Sequence, residues 1–470
     1  LREDSYLDDK EFKIILTKYE KARKLNQPIY LEADELTDIA EYYHSIGKEE
    51  DANIAVDLAL SFFPGSISPL IYKARLSLLT NDDPSIANEY LEQISDKTDL
   101  DYYYMKAEIL IASDREDEAD SFLKETYKTL EDDDRKDYIF DIANLYIDYD
   151  LFEYANNWLN LSDDKKSTDY RELLGRVLCN KGQFKQSEVI FRELLEEEPY
   201  STTYWDTLAS IQFFQENIKD SITSSEYSIA IDPNNYEAIL NKANGLYTLE
   251  NYEDALKYFN RYIKLQPNDG VGEILLATTL INLGKFNDAV THLKRAEELC
   301  VTSKSNLMEI YQKMAISLSL IGDLSQASTC LDKTNTLDCN HNEIMVLKGH
   351  IFLENNKIDE AKKCFHSALY NSHFDKNIFY RIALSVYDNN YKKIAYRMLK
   401  YLINSFGDEW IEGYAYLAKC AREIGKNNEF LIYLKKACQI NPKEAKMVLG
   451  DLFPSDIEPK DYFNYIISNN

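Results

Sequence analysis

The sequence predicts an all-α fold, an α-α superhelix of tandem antiparallel helix pairs. Three observations carry that reading. Pro199, Pro233 and Pro267 stand 34 residues apart, as do Ala255 and Ala289, and again Ala327, Ala361 and Ala395. A fixed period of that length marks one two-helix unit copied along the chain. Within a period, apolar residues recur at three- and four-residue steps, the spacing of a helical stripe. Finally, 14 glycines and 10 prolines among 470 residues leave no room for a linker-rich, multi-domain layout. A single compact core is not expected at this length, but a stack in which each unit buries its face against its neighbours avoids that limit.

The elements follow in order. Residues 1–32 contain a charged segment, Asp8 to Leu25, expected to form an N-terminal capping helix. Residues 33–444 divide into about twelve units of one continuous solenoid. They start near Ala33, Ile67, Leu100, Lys136, Thr168, Thr202, Tyr236, Gly270, Met308, Asn342, Lys376 and Ile411. Their eighth residue is small throughout: Ala40, Ala74, Ala107, Ala143, Gly175, Ala209, Ala243, Ala277, Ala315, Gly349, Ala383 and Ala418. Gly47, Gly182, Gly284, Gly322 and Gly425 fall where the first helix of a unit must turn into the second. The second and third units change length near Asn81 and Glu131, and the eighth is stretched near Val301. Residues 445–470, with Pro454, Pro459 and the stripe Tyr462, Phe463, Tyr465 and Ile466, read as a C-terminal cap. A repeat stack has two exposed ends that terminal elements must cover.

The unit from Tyr236 to Asp269 shows the pattern most fully, with Ala243, Leu246, Asn251, Tyr252, Ala255, Phe259, Tyr262 and Pro267 in register. Trp205, Leu208 and Ala209 occupy matching places one unit earlier, and Gly175, Gly182, Phe184 and Phe191 one before that. In this small–large pattern the chain resembles the tetratricopeptide repeat family along nearly its whole length. Ser187 and Ser221 depart from it, standing where the second helix carries a small alanine. The resemblance implies that the second, fifth, ninth and twelfth residues of each first helix line a concave face. It assigns Glu172, Arg176, Asp206, Ser210, Phe213, Leu240, Asn244, Tyr247, Thr278, His350, Tyr380 and Tyr387 to that face. Such a mixture of amides, aromatics and charges suits an extended peptide or a partner helix. No fifth residue is basic, so a clamp for chaperone C-terminal carboxylates is not expected. Only Asn241 matches the asparagine ladder of the long superhelices attached to sugar transferases.

Charge is uneven. The net charge is −28; residues 1–170 hold 41 acids and 19 bases, whereas residues 376–446 hold 13 bases and 7 acids. Lys392, Lys393, Arg397 and Lys400 cluster in one second helix. The acidity argues against nucleic acid, which needs clustered lysine and arginine. It favours a protein partner with a basic segment, and the opposed ends also allow head-to-tail self-association. Acids recur at the second place of eight units: Asp34, Asp101, Asp137, Asp169, Glu237, Glu309, Glu343 and Glu412. The positive end of a helix dipole accounts for them, and an acidic rim is the functional alternative. The 36 tyrosines read chiefly as large packing residues, such as Tyr43, Tyr258 and Tyr311.

Seven cysteines without a CxxC pair (Cys179, Cys300, Cys330, Cys339, Cys364, Cys420 and Cys438) read as buried reduced thiols. The six histidines form no HExxH and no zinc spacing, and the glycines stand singly, without a phosphate loop. No catalytic, cofactor or metal site is expected, and no apolar run is long enough to span a membrane. The charged first 25 residues lack the apolar core of a signal peptide, which points to a cytoplasmic protein. Leu1 is not a start methionine, which leaves a removed export signal open. The expected function is a non-enzymatic interaction scaffold. The alternatives are a regulatory or targeting subunit of an enzyme complex, such as cell-surface polysaccharide assembly, and a holdase-type chaperone. The lack of a methionine-rich inner strip counts against the last.

Overall fold

The computed structural model describes residues 10–25, 27–81, 83–337, 340–406, 410–454 and 457–469. Cys339 and the start of the N-terminal segment at Asp8 lie outside them. Every regular element among the described residues is helical. Most helices pack on their sequence neighbours, and several first helices also touch the first helix of the next pair, as 33–45 touches 67–81 and 341–354 touches 376–388. The chain divides into two compact units, residues 1–217 and 218–470. The division falls inside the pair read from Thr202, between Thr202–Phe214 and Ile218–Ile231.

In the first unit, Lys10–Lys24 precedes the pairs Ala33–Ser45 with Glu49–Phe62, Ile67–Asn81 with Pro84–Glu92, Leu100–Ile111 with Glu116–Thr129, Asp132–Asp148 with Phe152–Leu159, and Thr168–Asn180 with Phe184–Glu197. In the second unit the pairs begin at Tyr236, Gly270, Lys304, His341, Lys376 and Tyr414, followed by Pro442–Leu449 and Pro459–Asn469. Phe12 and Tyr19 are wholly buried in one terminal cluster, and at the other end the rings of Phe453 and Tyr462 stack at 3.8 Å.

The small eighth residue has a direct physical role. All ten alanines at this place are 0% exposed, and Gly175 and Gly349 are buried as well. A large second-helix residue fills the space that the small one leaves. A Cβ on Gly175 would stand 2.7 Å from the Phe191 ring, and one on Gly349 only 2.4 Å from Phe365. Ser187 fits its alanine place because its hydroxyl donates to the Gly175 carbonyl at 2.7 Å. Its polarity is thereby satisfied without enlarging the contact.

Helix ends follow the period as closely as the core does. Ser167, Ser201, Asn235, Asp269 and Ser303 stand 34 residues apart, and each accepts a backbone N–H of the helix it precedes. These are N-caps. Eleven inter-helix turns among the described residues pass through the left-handed region. Glycine supplies it at 47, 182, 284, 322 and 425, and Asp114, Asp150, Glu216, Glu250, Asn356 and Asn390 supply it elsewhere, with φ between 56° and 69°.

Two first helices start earlier than the period places them. Asp132–Asp148 and Lys304–Ile321 each begin four residues upstream of Lys136 and Met308. The extra residues near Val301 extend a helix rather than a loop. Asp137 and Glu309 therefore sit beyond the first turn, and Glu412 precedes its helix, whereas Asp34, Asp101, Asp169, Glu237 and Glu343 occupy first turns. In those five the carboxylate meets the positive end of its helix dipole.

Six cysteines are free thiols, with Cys300, Cys330 and Cys420 buried and Cys179, Cys364 and Cys438 partly so. Burial pushes the Cys420 thiol up to about 12 and Cys438 up to about 11. They pack as small apolar groups.

Candidate functional site

Because side chains on a helix lean over the preceding turn, first-helix residues one pair apart can meet. Many do. In the first unit Arg75 donates to Glu108 at 3.1 Å, and Tyr104 donates to Asp141 at 2.8 Å. Arg176 reaches back to Asn144 at 2.6 Å and Asp148 at 3.1 Å, and Tyr204 donates to Glu172 at 3.1 Å. In the second unit Asn282 donates to Tyr247 at 2.8 Å, His350 pairs with Ser385 at 3.1 Å, and Tyr387 donates to Glu423 at 3.3 Å. The first helices are laced by polar contacts to the next or previous first helix.

This accounts for five of the residues read as a concave face. Glu172, Arg176, Tyr247, His350 and Tyr387 are partly buried members of this ladder. Tyr380 is 9% exposed and donates to the buried Glu444 at 2.9 Å, with the Trp410 ring edge-on to its own at 5.6 Å. Thr278 is turned onto its own helix, bonding the Ile274 carbonyl. Asn241, Asn244, Leu240, Ser210 and Phe213 are partly buried, and Asp206 is buried. In the basic second helix Lys392–Phe406, Lys392 pairs with Glu423 and Lys400 with Glu429.

A concavity lies elsewhere, in the first unit. A groove of about 690 Å³ runs over the first helices of four successive pairs, between Asp34 and Tyr149. Asp34, Asp38, Glu41, Asp101, Glu108, Asp141 and Asp148 line it, against Arg75 and His44. Ile71, Leu76, Leu78, Leu79 and Leu145 supply apolar wall. The second-, fifth-, ninth- and twelfth-place rule, applied to the units starting at Ala33, Ile67 and Leu100, yields Asp34, Thr37, Glu41, His44, Ser68, Ile71, Arg75, Leu78, Asp101, Tyr104 and Glu108 in the lining and Ile111 outside it. In the unit starting at Lys136 it yields Asn144 in the lining, with Asp137, Phe140 and Ile147 outside it. The signal is present in the sequence at these early units as well as in the central ones. Desolvation pushes the Asp141 carboxyl up, with Asp137 and Asp101 adding to the effect against the Tyr104 hydrogen bond. Burial and the Glu108 carboxylate likewise push the Tyr149 phenol up. Negative charge is concentrated in this groove beyond what its own cations offset.

Among the described residues no group of three or more histidine, cysteine, aspartate or glutamate side chains is arranged to hold a metal ion. No described helix is long and apolar enough to cross a membrane. The arrangement offers hydrogen-bond acceptors, negative charge and apolar wall along a groove, which are binding features.

Comparison with known proteins gives three findings. The tetratricopeptide repeat profile matches residues 236–269 and 343–372. Superkiller protein 3 of Schizosaccharomyces pombe is 24% identical over 189 residues, which are 38% of this chain and 14% of that protein. The match therefore spans a small part of the relative's length. Among solved structures, residues 41 to the end of MamA from Desulfovibrio magneticus RS-1 superpose with a TM-score of 0.34 at 14% identity, over 38% of this chain and 96% of that one. YrrB, described as a TPR protein with an unusual peptide-binding site, gives 0.34 at 18% identity, over 38% and 90%. Superpositions this partial carry no argument about function.

Proposed function

We propose that this chain, which belongs to the tetratricopeptide repeat family, is a non-enzymatic protein-interaction scaffold. In this reading the first helices hold an extended peptide or a helix of another protein, and that partner presents a basic segment. One observation carries the reading: the groove over residues 34–149 is lined by first helices of four successive pairs. Repetition thus produces a continuous surface that no single pair could offer. The ladder between first helices supports it further, because side chains already held by neighbours cost little entropy to present to a ligand. The acidic first unit supports the basic character of the partner.

The test is affinity capture with the tagged full chain in lysate of its own organism, at low and moderate salt, followed by assay of what is captured. A single stoichiometric partner that elutes as salt rises is the expected result. A co-purifying enzyme whose activity changes when this chain is removed would replace the scaffold reading by that of a regulatory subunit. Many weak clients, together with suppression of their aggregation, would replace it by that of a holdase.

A further inference from the structure

We infer that the groove over residues 34–149 seats an extended segment of another protein bearing lysine or arginine, with one cationic side chain held at Tyr72. The inference rests on the scaffold reading and adds the seat, the chemistry and the length of what is bound.

Charge supplies the first observation. Seven carboxylates line the groove; Arg75, also in the lining, engages Glu108 at 3.1 Å, and Arg176 reaches Asp148 at 3.1 Å, so two guanidiniums face seven acids. An acidic or uncharged segment leaves that field unbalanced, and a cationic one completes it. Asp34 and Asp101 are exposed at the rim, and Glu41 is partly buried deeper along the same helix as Asp34.

The second observation is independent of the acids. Tyr72 lines the same groove, is 9% exposed, and its hydroxyl is buried without a hydrogen-bond partner. A buried hydroxyl left unpaired is a standing cost to the fold. Burial and the nearby Glu41 and Glu49 carboxylates push its phenol up to about 12, so it stays a neutral hydroxyl at neutral pH. The surroundings supply negative charge and the hydroxyl oxygen supplies an acceptor, which together match an ammonium or guanidinium. The exposed His44 ring stands edge-on to Tyr72 at 6.4 Å, on the same groove.

The groove also sets a length. Packed helices lie about 8–10 Å apart, so three steps between four first helices cover about 24–30 Å. An extended chain covers that with about seven to nine residues. The apolar wall from Ile71 to Leu79 suits a segment in which basic residues alternate with small apolar ones.

The experiment uses the full chain and a fluorescein-labelled nine-residue peptide alternating lysine with valine, read by anisotropy. The same peptide with glutamate replacing lysine is the comparison. The lysine peptide binds and the glutamate peptide does not. The groove variant Asp34→Asn/Glu41→Gln/Asp101→Asn weakens binding by about tenfold or more. A variant of equal charge change in the second unit, Asp220→Asn/Glu250→Gln/Glu253→Gln, changes it by less than about twofold, the screened remainder of distant charge. Tyr72→Phe weakens binding by about threefold, an amount consistent with one hydrogen bond, and leaves the thermal midpoint unchanged or raised. Equal losses in both triple variants, or none in the groove variant, would overturn the inference. A photo-crosslinker placed at Leu79, Thr278 or Tyr401 then separates the two levels, using the partner that co-purifies with the chain. Capture at Leu79 supports the inference. Capture at Thr278 without Leu79 defeats it and spares the scaffold reading, whereas capture only at Tyr401, on a second helix, defeats both.

Discussion

Replacing Glu444 is expected to unlock the last helix pair from the element that follows it. Glu444 lies in the helix Pro442–Leu449 and is 8% exposed, an unusual place for a carboxylate. It accepts the Tyr380 hydroxyl at 2.9 Å, the Gly413 N–H at 2.7 Å and the Ala415 N–H at 3.4 Å. Gly413 precedes the helix Tyr414–Glu423 in a left-handed conformation and brings no capping side chain of its own, so Glu444 caps that helix from a distance. Glu444→Ala leaves three buried donors unpaired. At about 1–3 kcal/mol for each of the two short bonds, and less for the long one, the loss is about 3–6 kcal/mol. Glu444→Gln keeps an acceptor oxygen and gives up only the charge assistance, a loss of about 1–2 kcal/mol. A chain of many repeats does not unfold as one step, so the assay is native-state hydrogen exchange of the amides between Tyr414 and Glu423. The opening free energy there should fall in the order wild type, Gln, Ala, with little change in residues 33–129. A loss below about 0.5 kcal/mol for Glu444→Ala, the level of an ordinary surface change, would refute the capping argument.

Other perturbations follow from the same geometry. Glu250 adopts φ 59° at an inter-helix turn where Gly182 serves two pairs before and Gly284 one pair after; Glu250→Gly should stabilise the second unit by about 0.5 kcal/mol, the left-handed cost less the entropy of glycine, as read by urea denaturation. Gly349→Ala should destabilise by about 1–3 kcal/mol, because the new methyl would lie 2.4 Å from Phe365, and Phe365→Leu should recover part of that loss in a double-mutant cycle. The Glu429 carboxyl is pulled down to about 2 by hydrogen bonds from Lys400, Lys426 and Tyr396. A lowered folded-state value means that its contribution is fully present above the unfolded value of 4.5 and is lost as pH falls toward 2. Glu429→Gln should therefore lower the thermal midpoint at neutral pH, with the difference from wild type closing across that acid window.

The repeat core was legible because packing at the eighth residue is a local demand renewed in every pair: a large side chain there would collide with the facing second helix, as Phe191 and Phe365 show. Helix starts were less legible at Asp132 and Lys304, because the small residue reports where helices touch, whereas the cap reports where they begin. The caps Ser167, Ser201, Asn235, Asp269 and Ser303 carried that information at the same period, and Ser303 marks the early start of Lys304–Ile321 directly. The ladder on the first helices was half legible. Positions such as Arg176 and Tyr387 were read as facing a ligand, yet each spends its polar atoms on a neighbouring helix. That choice depends on side-chain reach across 28–36 residues, which no periodicity encodes. Glu444 was invisible for the same reason, its partner Tyr380 lying 64 residues away.

The most direct test of the account is hydrogen exchange of the full chain alone and bound to its captured partner, resolved to single helices. The scaffold reading predicts slowed exchange on first helices, foremost 33–45, 67–81 and 100–111, with the second helices 49–62 and 116–129 little changed. Protection confined to second helices, or no protection on binding in either unit, would contradict it.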